Sequence, residues 1–440
     1  MMRNTKTIST LKTSILCLFA FVSVTMQSQP KISIDDAVKI ALKNNFDILL
    51  AGNDAAIDKV NNTAGNAGML PTIAITGSGS YGLNDVHQKL NGGSETNYSS
   101  VSTTVLSAGA QLSWNLYDGG KMFVTRNKLK EIQALGELQF RDKVMQTYYN
   151  VIAAYYDVVR QKQQLASINE ALNYNRDRVL IAQTGFNAGS MLKSDLLQAK
   201  IDLNVNTENA INQQFAIDES LKTLNQLLGK NPDEVFQISD SIPLGYSPDK
   251  ADLLQKINST NSSILSFQKQ IDIAQLALKE SRTAYLPIFS FKAGYYATQT
   301  VNSVGTTLNS STVGPQVGGT LSIPVYSAGE NKRKEKVARI QAQSAEYDLQ
   351  NIKLQVNTQL LNMLTEFENQ QKLLKIETEN NELAKENIQI SIDRLKHGQA
   401  TSLEVHQAQE DFVQSSTRLI NFRYNLKVAE TKLKQLVSIL

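Results

Sequence analysis

Residues 68–82 read GMLPTIAITGSGSYG, and the fold turns on what this stretch is for. Helix-like sequence runs up to it and resumes about forty residues later. Pro71 lacks an N–H and fixes its own φ, so it ends a helix. Beyond it Ile73, Ile75 and Tyr81 alternate with Ala74, Thr76, Ser78 and Ser80, with Gly77 and Gly79 on the isoleucine side. A period of two predicts a strand over 71–82, yet the strand has too little bulk to fill a soluble core.

Its return is LSAGAQLSWNLY, Leu106–Tyr117, which predicts a second strand over 105–117. Leu106, Ala108, Ala110, Leu112, Trp114 and Leu116 lie on one face, and Ser107, Gly109, Gln111, Ser113 and Asn115 on the other. The same plan recurs at 287–298 and 316–326. There Phe289, Phe291, Ala293 and Tyr295 oppose Ser290, Lys292, Gly294 and Tyr296, and Val317, Leu321, Ile323 and Val325 oppose Gly318, Thr320 and Ser322. Four segments of about ten residues, apolar on one face and small or polar on the other, have the signature of outer-membrane barrel strands. Lipid offers backbone groups no partner, so only helices and closed barrels span it. Tyr81, Trp114, Tyr117 and Tyr295 suit an interfacial aromatic girdle. The connections LNDVHQKLNGGSETNYSS and VNSVGTTLNSSTVGP are polar and expected to be exposed loops. Known single-chain barrels begin at about eight strands. Four strands therefore predict an oligomer, eight-stranded as a dimer or twelve-stranded as a trimer. The competing reading is a pair of soluble hairpins on a coiled coil.

The recurrence extends to the whole chain. Leu70-Pro71 returns as Leu286-Pro287, 216 residues on, and LYDGGK (Leu116–Lys121) returns as VYSAGE (Val325–Glu330), 209 on. FNAGSMLKSDLLQA (Phe186–Ala199) returns as LKHGQATSLEVHQA (Leu395–Ala408) at the same 209. Two repeats are expected, 29–228 and 249–440, joined by a proline-containing segment at 229–248. In each, apolar residues recur every seventh position: Val151, Val158, Leu165, Leu172, Val179 and Phe186, then Leu360, Phe367, Leu374, Asn381, Ile388 and Leu395. After the Gly189 and Gly398 turns the period continues through Leu196, Leu203, Ala210, Ile217 and Leu224, and through Val405, Phe412, Leu419, Leu426 and Leu433. A seven-residue repeat keeps one stripe on a partner helix. Companion positions are mixed: Tyr148 and Tyr155 are apolar, while Lys162, Asn169 and Arg176 are not. Shallow packing around a wide interior is expected. Long helices over 119–185 and 328–395 would each reach on the order of 100 Å. Shorter helices over 34–68, 190–228, 250–284 and 401–438 would pack antiparallel against them.

The first residues set the compartment. Arg3, Lys6 and Lys12 precede the apolar run Ile15–Val24, which predicts a secretory signal peptide over 1–28. It takes three of the chain's 44 basic residues and none of its 41 acidic ones, leaving a neutral chain with no electrostatic case for nucleic acid. The one cysteine, Cys17, lies inside that run, so the exported chain has no thiol or disulfide chemistry. His87, His397 and His406 do not form a recognised metal cluster, and no phosphate-binding loop or nucleophile elbow is present. No cofactor, no metal and no enzymatic activity are expected.

Taken in order, the amino-terminal helix running into Leu-Pro, the YDGG and YSAG motifs, and the glycine turns with a downstream acid and Gln-Ala resemble the TolC-type outer membrane factors over nearly the whole exported chain. The resemblance implies a mixed α and membrane-β fold: a homotrimer sharing a twelve-stranded outer-membrane barrel above a periplasmic tunnel of coiled-coil helices, with an equatorial belt near 229–248. It implies passive export, driven by an inner-membrane pump (proton- or ATP-driven) and joined through a periplasmic adaptor. It places the adaptor-facing hairpin tips at Ala188, Gly189, Ser190 and Met191, and at His397, Gly398, Gln399 and Ala400. It matches Asp195 and Glu404 to an acidic constriction at the entrance. Gln407 stands where relatives can carry a second acid, with Gln198 as its first-repeat counterpart. Asp195 and Glu404 also fit a simpler role, acids in the first turn of a helix. A non-conducting coiled-coil scaffold is the alternative function.

Overall fold

The computed structural model describes residues 31–438 apart from Leu90 and Asp240; the expected signal peptide, 1–28, lies outside the described residues. In chain order the elements are β1 (Lys31–Ile32), α1 (Ile34–Asn44), α2 (Phe46–Asn61), β2 (Thr72–Lys89), β3 (Glu95–Asp118), α3 (Lys121–Asn187) and α4 (Lys193–Leu228). They are followed by β4 (Gln237–Ile238), α5 (Lys250–Thr260), α6 (Ser262–Arg282), β5 (Ile288–Asn302), β6 (Asn309–Ser322), α7 (Glu330–Lys396) and α8 (Ser402–Leu436).

The long helices α3 and α7 have 67 residues each, about 100 Å of helix. α3 packs on α4 and α8 toward its carboxyl end and on α2 and α6 toward its amino end; α7 packs on α8 and α6. The helices thus form four side-by-side columns: α2 with α4, then α3, then α6 with α8, then α7. The large antiparallel sheet repeats that order, β2-β3-β5-β6. Each strand adjoins one column in sequence. β2 and β6 are the edges of the sheet, as α2/α4 and α7 are the edges of the helical layer.

The seven-residue stripe is the core. Val151, Val158, Leu224, Leu360, Ile388, Val405 and Leu433 are fully buried. The second buried row of α3 differs from the expected one near the far end: it runs through Asn175, Arg178 and Ala182 rather than Arg176, which is exposed.

Two helices expected to be continuous are broken. The segment 34–68 divides at Asn45 and stops at Asn61, and 250–284 divides at Asn261. The reason is capping. The Asn45 side-chain oxygen accepts from the Asp47 and Ile48 amides, and its Nδ2 donates to the Leu227 carbonyl at the end of α4 (2.8 Å). Asn261 likewise accepts from the Ile264 amide, and its Nδ2 donates to Leu436 O in α8 (2.9 Å). One side chain therefore starts one helix and satisfies a free carbonyl ending another.

The joints between strand and long helix explain YDGG and YSAG. Gly120 and Gly329 stand before α3 and α7 with φ of 81° and 78°, a left-handed conformation that glycine adopts without cost. At Gly119 a Cβ would lie 2.7 Å from the Thr283 carbonyl oxygen and 2.8 Å from Leu286 Cβ, so the chain there touches the start of the second hairpin.

The strands depart from expectation at four places, the first being that β5 runs on to Asn302 and β6 begins at Asn309, inside the expected second loop. β2 and β3 continue through most of the expected loop to Lys89 and Glu95, so the first hairpin outreaches the second. β6 ends at Ser322, short of 326, where its partner β5 begins at Ile288, just after Pro287, which has no N–H to give the ladder. A bulge between Asn115 and Tyr117 interrupts the alternation, taking Leu116 out of the row and pairing Tyr117 with Phe289.

The segment 229–248 is packed rather than a loose linker. β4 pairs in parallel with β1, and Phe236 and Ile238 are buried against the first helical core. The Tyr155 hydroxyl pins both strands, donating to Ile32 O (3.0 Å) and accepting from the Ser239 amide (3.1 Å).

Replacing Asn45 or Asn261 with alanine removes a cap and leaves a carbonyl unpaired. Each substitution is expected to cost about 1–2 kcal/mol, measured as a lower thermal midpoint of the helical circular-dichroism signal in detergent.

Candidate functional site

The candidate site residues lie at the two ends of the molecule, on the sheet and at the hairpin tips. Directly paired residues of an antiparallel sheet point to the same face, so the register assigns faces without ambiguity. Ile73, Leu112, Ala293 and Val317 form one cross-sheet row, and Ile75, Ala110, Tyr295 and Pro315 another. That apolar face is uncovered: Ile75 is 86% and Val317 71% exposed. The opposite face carries rows such as Thr72, Ser113, Lys292 and Gly318. Its side chains bond to each other, Ser290 to Asn115 (2.7 Å), Ser107 to Thr298 (3.0 Å) and Thr103 to Asn302 (3.0 Å).

The expected girdle residues fall at different heights on the apolar face. Trp114 and Tyr117 stand at the helix-side end, next to Phe291 and Phe289, and the Trp114 indole N–H donates to Met69 O (3.0 Å). Tyr81 pairs with Thr104 ten residues farther along the strands. At about 3.3 Å per residue, that separation is about 33 Å along the strands. Tyr295 stands only four residues from Phe291, between these two levels.

At the opposite end, α3 and α4 meet at Ala188, Gly189, Ser190 and Met191, and α7 and α8 at His397, Gly398, Gln399 and Ala400. Gly189 and Gly398 take φ of 77° and 67°. The two turns enclose a groove of about 800 Å³ lined by Leu180, Met191, Leu395, Ala400 and Leu403, among others. Asp195 and Glu404 flank it, and each carboxylate turns back on its own helix. Asp195 accepts from the Leu192 amide (3.3 Å). Glu404 accepts from the Thr401 amide (2.7 Å), while the Thr401 hydroxyl accepts from the Glu404 amide (3.2 Å), a closed capping box. The bond from the Thr401 amide holds the Glu404 carboxyl below its usual range. The stabilisation it brings is complete above the ordinary glutamate pKa of about 4.3 and is lost as pH falls below it. Gln198 and Gln407 do not reach these acids; they donate to Asp202 (2.8 Å) and Asp411 (3.1 Å) one turn on.

A cluster that sequence reading missed ties the two hairpins together. Arg178 is 1% exposed and contacts both. It donates to Asp202 (2.9 Å) on α4 and to Gln409 (3.3 Å) and Ser402 (3.4 Å) on α8. His406 Nδ1 lies 3.2 Å from the same Asp202 oxygen. The signal available was an arginine four residues before Ala182 on the inward row, but that row, through Asn175 and Ala182, lies one position from the expected Arg176.

Comparison with known proteins matches residues 37–230 and 253–438 to the outer membrane efflux protein family. The chain is 23% identical over 329 residues to the outer membrane efflux protein BepC of Brucella suis, covering 74% of this chain and 70% of that one. It is 22% identical over 343 residues to the alkaline protease secretion protein AprF of Pseudomonas aeruginosa, covering 75% and 68%. Among solved structures, the Campylobacter jejuni CmeC outer membrane channel superposes with a TM-score of 0.76 at 16% identity, over 92% of this chain and 85% of that one. The outer membrane protein VceC of Vibrio cholerae superposes with 0.72 at 14%, over 92% and 95%.

Replacing Arg178 with methionine leaves Asp202 buried without its cation, expected to destabilise the hairpin end by about 3–5 kcal/mol. The double variant with Asp202→Leu should recover most of that loss. Limited proteolysis near the tips, together with thermal midpoints of the three proteins, checks both outcomes.

Proposed function

Because this chain belongs to the outer membrane efflux protein family, we propose that it is the outer-membrane exit duct of a tripartite export system, working as a homotrimer. Its apolar sheet face meets lipid and its polar face lines a lumen. The helical columns continue that lumen through the periplasm, and the duct conducts passively, driven by an inner-membrane pump through a periplasmic adaptor. The names of its relatives span efflux and protease secretion, and cargo is chosen by the pump and adaptor.

One observation carries the assembly: both layers end on open edges, in the same order. β2 and β6 have a partner on one side only. In the helical layer, α7 carries Ile340, Tyr347, Leu354 and Leu361, then Ile376, Leu383 and Ile390, each seven residues apart and each exposed. The opposite edge carries exposed Phe46, Leu50 and Ile57 on α2 and Leu197, Ile201 and Phe215 on α4. A seven-residue stripe without a partner in its own chain is a seam for another chain. Joining the α7/β6 edge of one copy to the α2–α4/β2 edge of the next is a head-to-tail contact, which closes into a ring. Three copies make a twelve-stranded barrel beneath which twelve columns stand. The paired capping asparagines, the paired glycine joints and the matching column order support reading the chain as one unit written twice. The tips present the groove between Met191 and Ala400 to the adaptor. As for Asp195 and Glu404, helix capping accounts for both carboxylates.

Leu354→Glu places a charge in the middle of the α7 seam. Helical content should be retained while the trimer is lost, as read by light scattering on the detergent-solubilised protein. The wild-type protein should give discrete channels in planar bilayers. A monomeric, non-conducting wild type would return the reading to a coiled-coil scaffold.

A further inference from the structure

Lys292 stands out on the lumen face. Between the Asn115–Ser290 pair and the Thr103–Asn302 pair, that face is built from Thr, Ser, Ala, Gly, Val, Asn, Gln and one Tyr, and Lys292 is its only charge. No carboxylate among the described residues forms an ion pair with it. Directly across the ladder stand Ser113 and Gly318, and a Cβ at Gly318 would meet nothing within 4 Å, so the ammonium is unobstructed. The nearest acid along the same face, Asp118, is several residues below, where both its oxygens accept from the Met122 amide.

The face's one aromatic side chain keeps clear of the passage. The Tyr296 ring lies flat over two glycines: a Cβ at Gly109 would come within 2.4 Å of its Cδ1, and one at Gly294 within 2.7 Å of its Cε2. Packed against the wall, the ring neither narrows the lumen nor covers Lys292.

We infer that Lys292 is the charge filter of the barrel, a ring of three ammonium groups near its helix-side end that favours anionic over cationic solutes. The inference rests on the trimeric duct proposed above. In such a barrel each ammonium stands on the order of 10 Å from the axis, within a Debye length of about 10 Å at 0.1 M salt. Three unpaired charges at that distance shift the local anion-to-cation ratio by on the order of threefold. Selectivity by a ring of like charges needs no binding pocket.

The chain's one cysteine, Cys17, falls within the expected signal peptide, so a single thiol can serve as a local probe. In full-length protein carrying Ser113→Cys, the rates of modification by an anionic and a cationic methanethiosulfonate reagent added from outside report the field beside Lys292, whatever the state of the far entrance. The anionic-to-cationic rate ratio is expected to fall about threefold when Lys292→Gln is added, and further with Lys292→Glu. Taking the ratio of the two rates cancels any change in thiol acidity. A ratio unchanged by both substitutions overturns the filter while leaving the duct intact. A thiol at 113 that neither reagent reaches overturns the lumen assignment itself, and the filter with it. In planar bilayers the wild-type and Lys292→Gln channels should differ in chloride-to-potassium permeability in the same direction; equal ratios in open channels count against the filter.

Discussion

A backbone N–H or C=O left unpaired in hydrocarbon costs several kcal/mol, and a four-stranded sheet has two rows of them, on β2 and on β6. The other features of the chain are consistent with that constraint. In the proposed assembly the apolar face would meet lipid, the sheet would close, and other copies would supply the closure. Since each strand runs on into a helical column, whatever closes the sheet also aligns the columns. In the proposed trimer the stripe from Ile340 to Ile390 on α7, exposed in the single chain, would meet a helix of the neighbouring copy. One hydrogen-bonding requirement in the membrane thereby organises about 100 Å of helix outside it.

Joining a strand to a helix without disturbing either layer falls to a few residues. Gly120 and Gly329 absorb the change of direction with a positive φ. In the first repeat Gly119 also brings the joint against Thr283 and Leu286, locking the two hairpins side by side. In the second, Ala328 takes φ of 51° at the equivalent step. At the equator Asn45 and Asn261 do similar work for helices that meet end to end, each closing two helix ends with one amide. These joints are short, polar and specific, whereas the columns between them rest on a repeating apolar seam.

The two ends use charge differently. At the tips the acids are held by their own helix ends, and the buried charge, Arg178, is shared between hairpins that otherwise meet mainly through apolar contacts. The Arg178–Asp202 ion pair itself lies within the first hairpin, and what crosses to the second are the bonds from Arg178 to Gln409 and Ser402 and the approach of His406 to Asp202. On the polar face of the sheet Lys292 is the one charge between the Asn115–Ser290 and Thr103–Asn302 pairs, with Asp118 below them. The first hairpin's charges beyond the second hairpin are taken up locally: Lys89 pairs with Glu95 at 2.8 Å, and Asp85 accepts from the Ser100 amide.

Periodicity carried most of the fold in the sequence, since a period of two and a period of seven survive any environment. The four strands, the long helices and the buried seam from Val151 to Leu433 could be read from it because each depends only on which residues share a face. The breaks could not: Asn45 and Asn261 look like ordinary polar helix positions until the end of α4 or α8 arrives to accept from them, 182 and 175 residues away in sequence. The same holds for the bulge that turns Tyr117 toward Phe289, for the extension of the first hairpin, and for Arg178, whose burial depends on where α8 crosses α3. Local pattern thus determined the elements and their faces. Contacts distant in the chain decided where elements stop, which polar groups are shared, and that both layers end on open edges, because such contacts exist only once the columns stand side by side.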